Sequence, residues 1–276
     1  MTVQLITGVS TGLGRAFATA ALEAGSTVVG TVRRETDRAA FKALAPGRAH
    51  AVLLDVTDEF AIVPTVEGIE RDIGPIDVLI NNAGYGHNGL VEETSMTEVR
   101  QQMEVNFFGA VAMIKAVLPG MRHRRRGYIF NITSIGGITT FPGLGIYHAS
   151  KFALEGLSET LGKEVRDLGI FVTAVEPGSF RTDWAGRSMT RVTRSIPEYD
   201  AVMNPMADAI RERSGRQPGD PRKAAAAIQQ VLLAPEPPAH LLLGSDAMSY
   251  ADAKLAAYRR DFDAWKHVTL STDFPV

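Results

Sequence analysis

Tyr147 and Lys151 stand four residues apart in the segment YHASKFALEGL, at the start of a helical pattern. On a helix both side chains project from one face and can touch the same ligand. A free tyrosine titrates near 10 and transfers protons poorly at neutral pH. A neighbouring ammonium favours the phenolate, and lowering the value by about three units takes roughly 4 kcal/mol of differential stabilisation. Thirteen residues before Tyr147, Ser134 ends the apolar run YIFNITS, where its hydroxyl can bond a substrate oxygen. Asn106 is a polar residue within the apolar stretch MEVNFFGAV; taken alone, it reads as a helix side chain bonding preceding carbonyls.

A second group is built for phosphate. Gly8, Gly12 and Gly14 fall in LITGVSTGLGRAFA, between an apolar run and a helical pattern, with the hydroxyls of Ser10 and Thr11 in the same turn. A pyrophosphate must approach such a backbone closely, a Cβ obstructs it, and the following helix offers free N–H groups and its positive end. After the next apolar run, STVVGTVRRETD places Val32 where NAD enzymes carry an acid for the ribose, followed by Arg33 and Arg34. Arginines there suit a 2′-phosphate, so NADP(H) is favoured over NAD(H). The alternative is that the two arginines solvate a loop. Glu35 reads as helix-start chemistry.

The elements that must position these groups alternate. Short apolar runs near 3–7, 27–32, 50–54, 76–80, 127–131, 170–175 and 239–243 read as strands, and helical patterns lie near 12–24, 58–72, 97–121, 147–167 and 221–233. That order predicts an α/β fold of Rossmann type, a doubly wound parallel sheet of about seven strands with helices on both faces. Ligands in such sheets sit beyond the carboxyl ends of the strands, where the groups above all fall. Residues 1–244 form the dinucleotide-binding and catalytic domain. The Arg-, Ser-, Pro- and Met-rich stretch 184–220 reads as a substrate lid, and residues 245–276 as a helical extension packed on the same domain.

With those motifs in order, the chain resembles the short-chain dehydrogenase/reductase family, in its short single-domain branch. TGVSTGLG matches the family's TGxxxGxG, NNAG at 81–84 its sheet-stabilising motif, YHASK its YxxxK, and PGSFRT at 177–182 its cofactor-closing segment. The resemblance implies that Tyr147 transfers the proton, Lys151 lowers its pKa and holds the nicotinamide ribose, Ser134 orients the carbonyl and Asn106 anchors a water in the proton relay. It implies cofactor contacts from Leu13 in the glycine turn, from Asp55 and Val56 beside the adenine, and from Asn82, Ala83 and Gly84. Pro177, Gly178 and Thr182 would close over the nicotinamide. The implied activity is an NADP-dependent carbonyl reductase or alcohol dehydrogenase (EC 1.1.1.-). Alternatives are an NAD(H) enzyme of the same family and a cofactor-sensing regulator with this fold.

Composition narrows the partners. The 29 Lys and Arg against 31 Asp and Glu leave a formal charge of −2, which gives no pull toward nucleic acid or an anionic membrane. The absence of cysteine excludes thiolate catalysis, so redox chemistry requires a bound cofactor, and it fits a cytoplasmic setting. The start MTVQLITG carries no signal-peptide pattern, and no stretch reads as a membrane helix. The histidines at 50, 87, 123, 148, 240 and 267 show no ligand spacing with a carboxylate, so no metal is expected. His148 reads as packing, and MRHRRRG as a solvated helix end. Arg181, Arg187, Arg191 and Arg194 can pair with an anionic substrate or face water, and Trp184, Met189, Tyr199, Met203 and Met206 are candidates for an apolar pocket. Surplus apolar residues on 97–121 and 147–167 point to a homodimer or homotetramer.

Overall fold

The computed structural model of the chain describes residues 2–213 and 215–274, so the end of the expected tail, Pro275 and Val276, lies outside the described residues. The first half runs β1 (Val3–Ile6), α1 (Gly12–Glu23), β2 (Thr27–Val32), α2 (Glu35–Lys42), β3 (Ala49–Leu53), α3 (Glu59–Asp72) and β4 (Val78–Asn81). It continues with a short β5 (Gly86–Asn88), α4 (Met96–Met103), α5 (Gly109–Arg124), β6 (Gly127–Ile132), α6 (Gly145–Val165) and β7 (Ile170–Pro177). After β7 come β8 (Met189–Arg191), α7 (Asp200–Arg213), α8 (Pro221–Leu232), β9 (His240–Leu243) and α9 (Ser245–Leu270).

Seven strands form one parallel sheet in the order β3-β2-β1-β4-β6-β7-β9. The chain reverses direction across the sheet between β1 and β4, which opens a crevice at their carboxyl ends. Strands buried on both faces favour apolar runs, and β1, β2, β4 and β6 are buried throughout, with Gln4, Thr31, Asn81 and Asn131 among their buried polar positions. One face packs Phe17, Ala21, Phe41 and Ile228 against the sheet; the other packs Ile62, Met113, Met121 and Leu161. These clusters hold the loops above the sheet in fixed positions.

The structure differs from the sequence expectations in four places. Helix α2 was not expected, because its eight residues are mostly polar; the wholly buried Phe41 anchors it. A π-helical turn, Glu104–Phe108, joins α4 to α5, and Asn106 lies within it. The helix 96–124 is thereby long and apolar enough by length and composition to cross a membrane, although Glu98, Arg100 and Glu104 disguise it in the sequence. One side of it belongs to the core, burying Met113, Ile114, Val117 and Met121. The lid contains a full helix, α7, whose period is interrupted by Pro205. Finally, the extension expected to pack on the domain does so only through its first turns. Ala247 and Ala251 are buried against Ile135, whereas Leu255, Phe262 and Trp265 are 62%, 62% and 64% exposed.

Candidate active site

The glycine turn is shaped by its neighbours. Gly8 and Gly12 have φ of +72° and +62°, which side-chain-bearing residues rarely adopt. A Cβ on Gly14 would collide with the Gly8 carbonyl and the Asn82 amide. That amide Nδ2 donates to Thr7 O (2.9 Å) and Gly8 O (3.0 Å), while Thr7 Oγ1 accepts from the N–H groups of Asn82 and Ala83, both at 2.9 Å. The loop after β4 therefore braces the turn after β1. Gly8 N–H also donates to Thr31 Oγ1 at 3.0 Å. Thr11 caps α1 without using its side chain, and the first turn carries no acid to compete with a phosphate. Thr182 lies over Gly12.

The two arginines after β2 divide. Arg33 lines a cleft of about 240 Å³ with Leu53, Leu54, Asp55, Asp58 and Ala61. Arg34 instead caps α2, with Nε and Nη2 donating to Asp37 at 2.8 and 3.0 Å. The expected pair of phosphate ligands is thus one residue facing the cleft and one in a surface ion pair. Asp55 accepts from Thr57 N–H and Oγ1 at 3.0 and 2.9 Å, and Val56 is buried against Gly109.

At the carboxyl end of β6, the four residues singled out for catalysis come together. Ser134 Oγ accepts from Gly136 N–H at 2.9 Å and stands near enough to the Tyr147 hydroxyl to temper its titration. Lys151 Nζ lies 5.9 Å from the centre of the Tyr147 ring and donates to Ile132 O at 2.9 Å. Asn106 does not follow the helix-carbonyl pattern its isolated position suggested. Its Oδ1 accepts from Tyr85 N–H (3.1 Å), and its Nδ2 donates to Tyr85 O (3.0 Å) and Ser150 Oγ (3.2 Å). Asn106 thereby clamps the chain just beyond Gly84, where a Cβ would lie 3.1 Å from Asn106 Oδ1 and 3.7 Å from Lys151 Nζ. His148 is a structural bridge: Nε2 accepts from Phe141 N–H (3.0 Å), and Nδ1 donates to Gly136 O (2.8 Å), fixing the loop that carries Ser134.

Burial dominates the electrostatics. It pushes the Tyr147 hydroxyl up to about 12, opposed in part by the Ser134 hydroxyl. It pushes Lys151 down to about 8, opposed in part by the Glu155 carboxylate. Both shifts favour the uncharged form, so the free chain holds its proton on tyrosine and keeps a readily titrated ammonium beside it.

The family model for short chain dehydrogenases matches residues 2–192, more than half of the chain. The chain belongs to this family. A 3-ketodihydrosphingosine reductase from Bacteroides thetaiotaomicron is 40% identical over 242 residues, 87% of each chain. The crystal structure of a short-chain dehydrogenase from Streptomyces avermitilis superimposes with a TM-score of 0.93 at 40% identity, covering 99% of this chain and 100% of that one. The NADP-bound structure of ElxO gives a TM-score of 0.73 at 28% identity, with coverage of 90% and 99%.

In this short-chain dehydrogenase the lid is latched to the body. Strand β8 pairs with β5, and the Trp184 ring sits 5.3 Å from the Tyr147 ring. Glu93, before α4, accepts from the N–H groups of Ser195 (2.6 Å) and Ile196 (2.8 Å) and pairs with Arg194 at 3.1 Å. The four arginines singled out have protein partners: Arg181 donates to Gln217 O, Arg187 pairs with Asp183, Arg191 donates to Met189 O and Arg194 also pairs with Asp200. Of the apolar candidates, Met189 and Met203 are buried near Gly86 and Gly143, while Tyr199 bonds Glu92 at the surface. The cofactor-closing segment is pinned from the far end of the chain: Gly178 N–H donates to Leu243 O (2.9 Å), and Ser179 N–H donates to Asp246 (2.8 Å). Thr7 and Glu93 were missed in the sequence. Thr7 was legible as the neighbour of Gly8, but Glu93 meets its partners about a hundred residues later and leaves no local signal.

Proposed function

We propose that this oxidoreductase uses NADP(H) to interconvert a ketone or aldehyde and the corresponding alcohol, with Tyr147 as the general acid and base. The observation that carries this reading is the meeting of Tyr147, Ser134 and Lys151 at the carboxyl end of the sheet that also holds the glycine turn. The side chains present fit a dinucleotide: the turn leaves no room for a Cβ at Gly14, the first turn of α1 lacks acids, and Arg33 faces a cleft beside Asp55.

When bound, the reduced nicotinamide supplies a hydride to the carbonyl carbon. The chain's part is to place and protonate. Ser134 and Tyr147 direct two hydroxyls to one point, where a carbonyl oxygen accepts from both, and Tyr147 gives its proton as that oxygen becomes an alkoxide. Lys151, charged below pH about 8 in the free chain, would hold the ribose and would stabilise the tyrosinate left behind. Trp184 over Tyr147 excludes water from the transfer. Arg33 would hold the 2′-phosphate, since Val32 stands at the end of β2 where an acid for the ribose would otherwise be expected. ElxO, with NADP bound, supports the same cofactor here.

The substrate is a neutral carbonyl compound with an apolar body. Arg181, Arg187, Arg191 and Arg194 are engaged with protein acceptors, and the Trp184 ring lies beside Tyr147 with Met189 next to it at Gly86. The Bacteroides relative, a reductase of a 3-keto sphingoid base, supports a keto group on a long chain. The enzyme works in the cytoplasm as a homo-oligomer. A panel of short and long-chain ketones offered with NADPH and with NADH tests the reading. Turnover of a long-chain ketone, faster with NADPH, is expected; absence of turnover across the panel, with NADPH bound, favours a cofactor sensor instead.

A further inference from the structure

Behind the Ser134 loop, three side chains far apart in sequence meet where α6, β7 and β9 adjoin. Glu155 lies one helical turn after Lys151, Glu176 lies on β7 and His240 begins the edge strand β9. One ligand atom from each falls within 4.8 Å of the others. His240 Nδ1 is 2.7 Å from Glu176 Oε1 and 3.6 Å from Glu155 Oε2. The Glu176 side chain is 0% exposed, yet its Oε2 receives no hydrogen bond within 3.5 Å among the described residues, and Glu155 beside it has only Thr133 and Glu176 close to its oxygens. A fully buried carboxylate oxygen without a donor is costly unless a cation or a proton meets it.

We propose that Glu155, Glu176 and His240 form a binding site for a divalent transition-metal ion of the zinc type. Two carboxylates and a neutral imidazole cancel the charge of such an ion, and the imidazole favours zinc over magnesium or calcium. The surroundings have the features a metal site requires. His240 lies between carboxylates, Nδ1 2.7 Å from Glu176 Oε1 and Nε2 3.0 Å from Glu159 Oε1, so an ion that displaces the Nδ1 proton finds the ring already oriented by Glu159 on its far side. That is the arrangement by which histidine ligands are held and made more basic. Gly137 closes the inner wall, with room for no Cβ between it and Glu155 Cγ. His240 is 43% exposed and Glu159 50% exposed, which leaves an entry path from solvent. An ion here ties the edge strand β9 to α6 and β7. Local spacing could not reveal the site, because 64 residues separate Glu176 from His240.

The test uses the full chain, freed of metal with a chelator and titrated with zinc chloride by calorimetry, with thermal melts in parallel. We expect one ion per chain, a melting temperature that rises with zinc, and X-ray absorption showing one imidazole with N/O ligands at about 2.0–2.2 Å. His240→Ala, at a half-exposed position that the fold tolerates, should lose affinity at least tenfold. Glu159→Gln should lose about tenfold through the orienting contact. His267→Ala, on the exposed part of α9, should bind as the native chain does. Absence of stoichiometric binding, or unchanged affinity in His240→Ala, overturns the proposal and leaves a carboxyl pair sharing a proton. None of these readouts depends on turnover.

Discussion

Gly14 carries a hydrogen where any other residue places a carbon into the Gly8 carbonyl and the Asn82 amide. Gly14→Ala must move the brace between β1 and β4, so it should lower stability by about 1–3 kcal/mol, as overpacking does. It should also weaken NADPH binding more than tenfold, read by fluorescence titration; native binding would mean that the brace does not shape the cradle. Lys151 supplies a pH prediction. Burial lowers its value from 10.5 to about 8, so its ammonium is intact below pH about 8 in the folded chain and is lost above that pH. NADPH affinity should fall as pH rises through about 8, while Lys151→Met should show weak affinity and no such step. The same shift means that unfolded chains hold this proton up to their higher pKa, so this group makes folding more favourable as pH rises from about 8 toward 10.5. The glycines, Ser134, Tyr147 and Lys151 were legible in the sequence because their chemistry demands those residue types at fixed spacing. The Asn106 clamp on Tyr85 was not, because it depends on a π-helical turn that re-aims one side chain.

At the scale of elements, the turn after β2 separates two arginines that look alike in sequence. Arg33→Asp should reduce NADPH efficiency at least tenfold and narrow or reverse the preference over NADH, whereas Arg34→Ala should change it little, since Arg34 pairs with Asp37. Steady-state rates with both cofactors separate the two. The lid hangs on Glu93, whose carboxylate is held below the usual range by the N–H groups of Ser195 and Ile196 and by Arg194. Limited proteolysis should cut Glu93→Gln faster within 184–220 and leave the body intact; equal cutting rates would show that β5 and β8 alone hold the lid. The strands and long helices followed from apolar period, and their order gave the parallel sheet. Helix α2 escaped because one buried Phe41 does the anchoring that a stripe of apolar residues does elsewhere. The lid helix escaped because Pro205 and scattered polar residues interrupt its pattern.

Across the whole molecule, α9 leaves the body after Ala251 with the same face continuing outward through Leu255, Tyr258, Phe262 and Trp265. These recur at the 3.5-residue spacing of a helix seam, so a second copy of the chain is the proposed cover. Sedimentation of Phe262→Glu/Trp265→Glu should show a smaller assembly than the native chain; an unchanged assembly would place the contact elsewhere. The start of α9 is tied to the candidate site, because Asp246 holds Ser179 in the segment that follows β7. That link was invisible in the sequence, since 67 residues separate its partners.

Every scale converges on Tyr147, close to Ser134 and with its ring 5.3 Å from that of Trp184. The most direct test is the turnover number of Tyr147→Phe with NADPH and the best ketone from the panel, beside its NADPH dissociation constant. Proton transfer by this hydroxyl predicts a fall in kcat of about 100-fold or more with cofactor affinity retained. Native turnover in Tyr147→Phe would contradict the account.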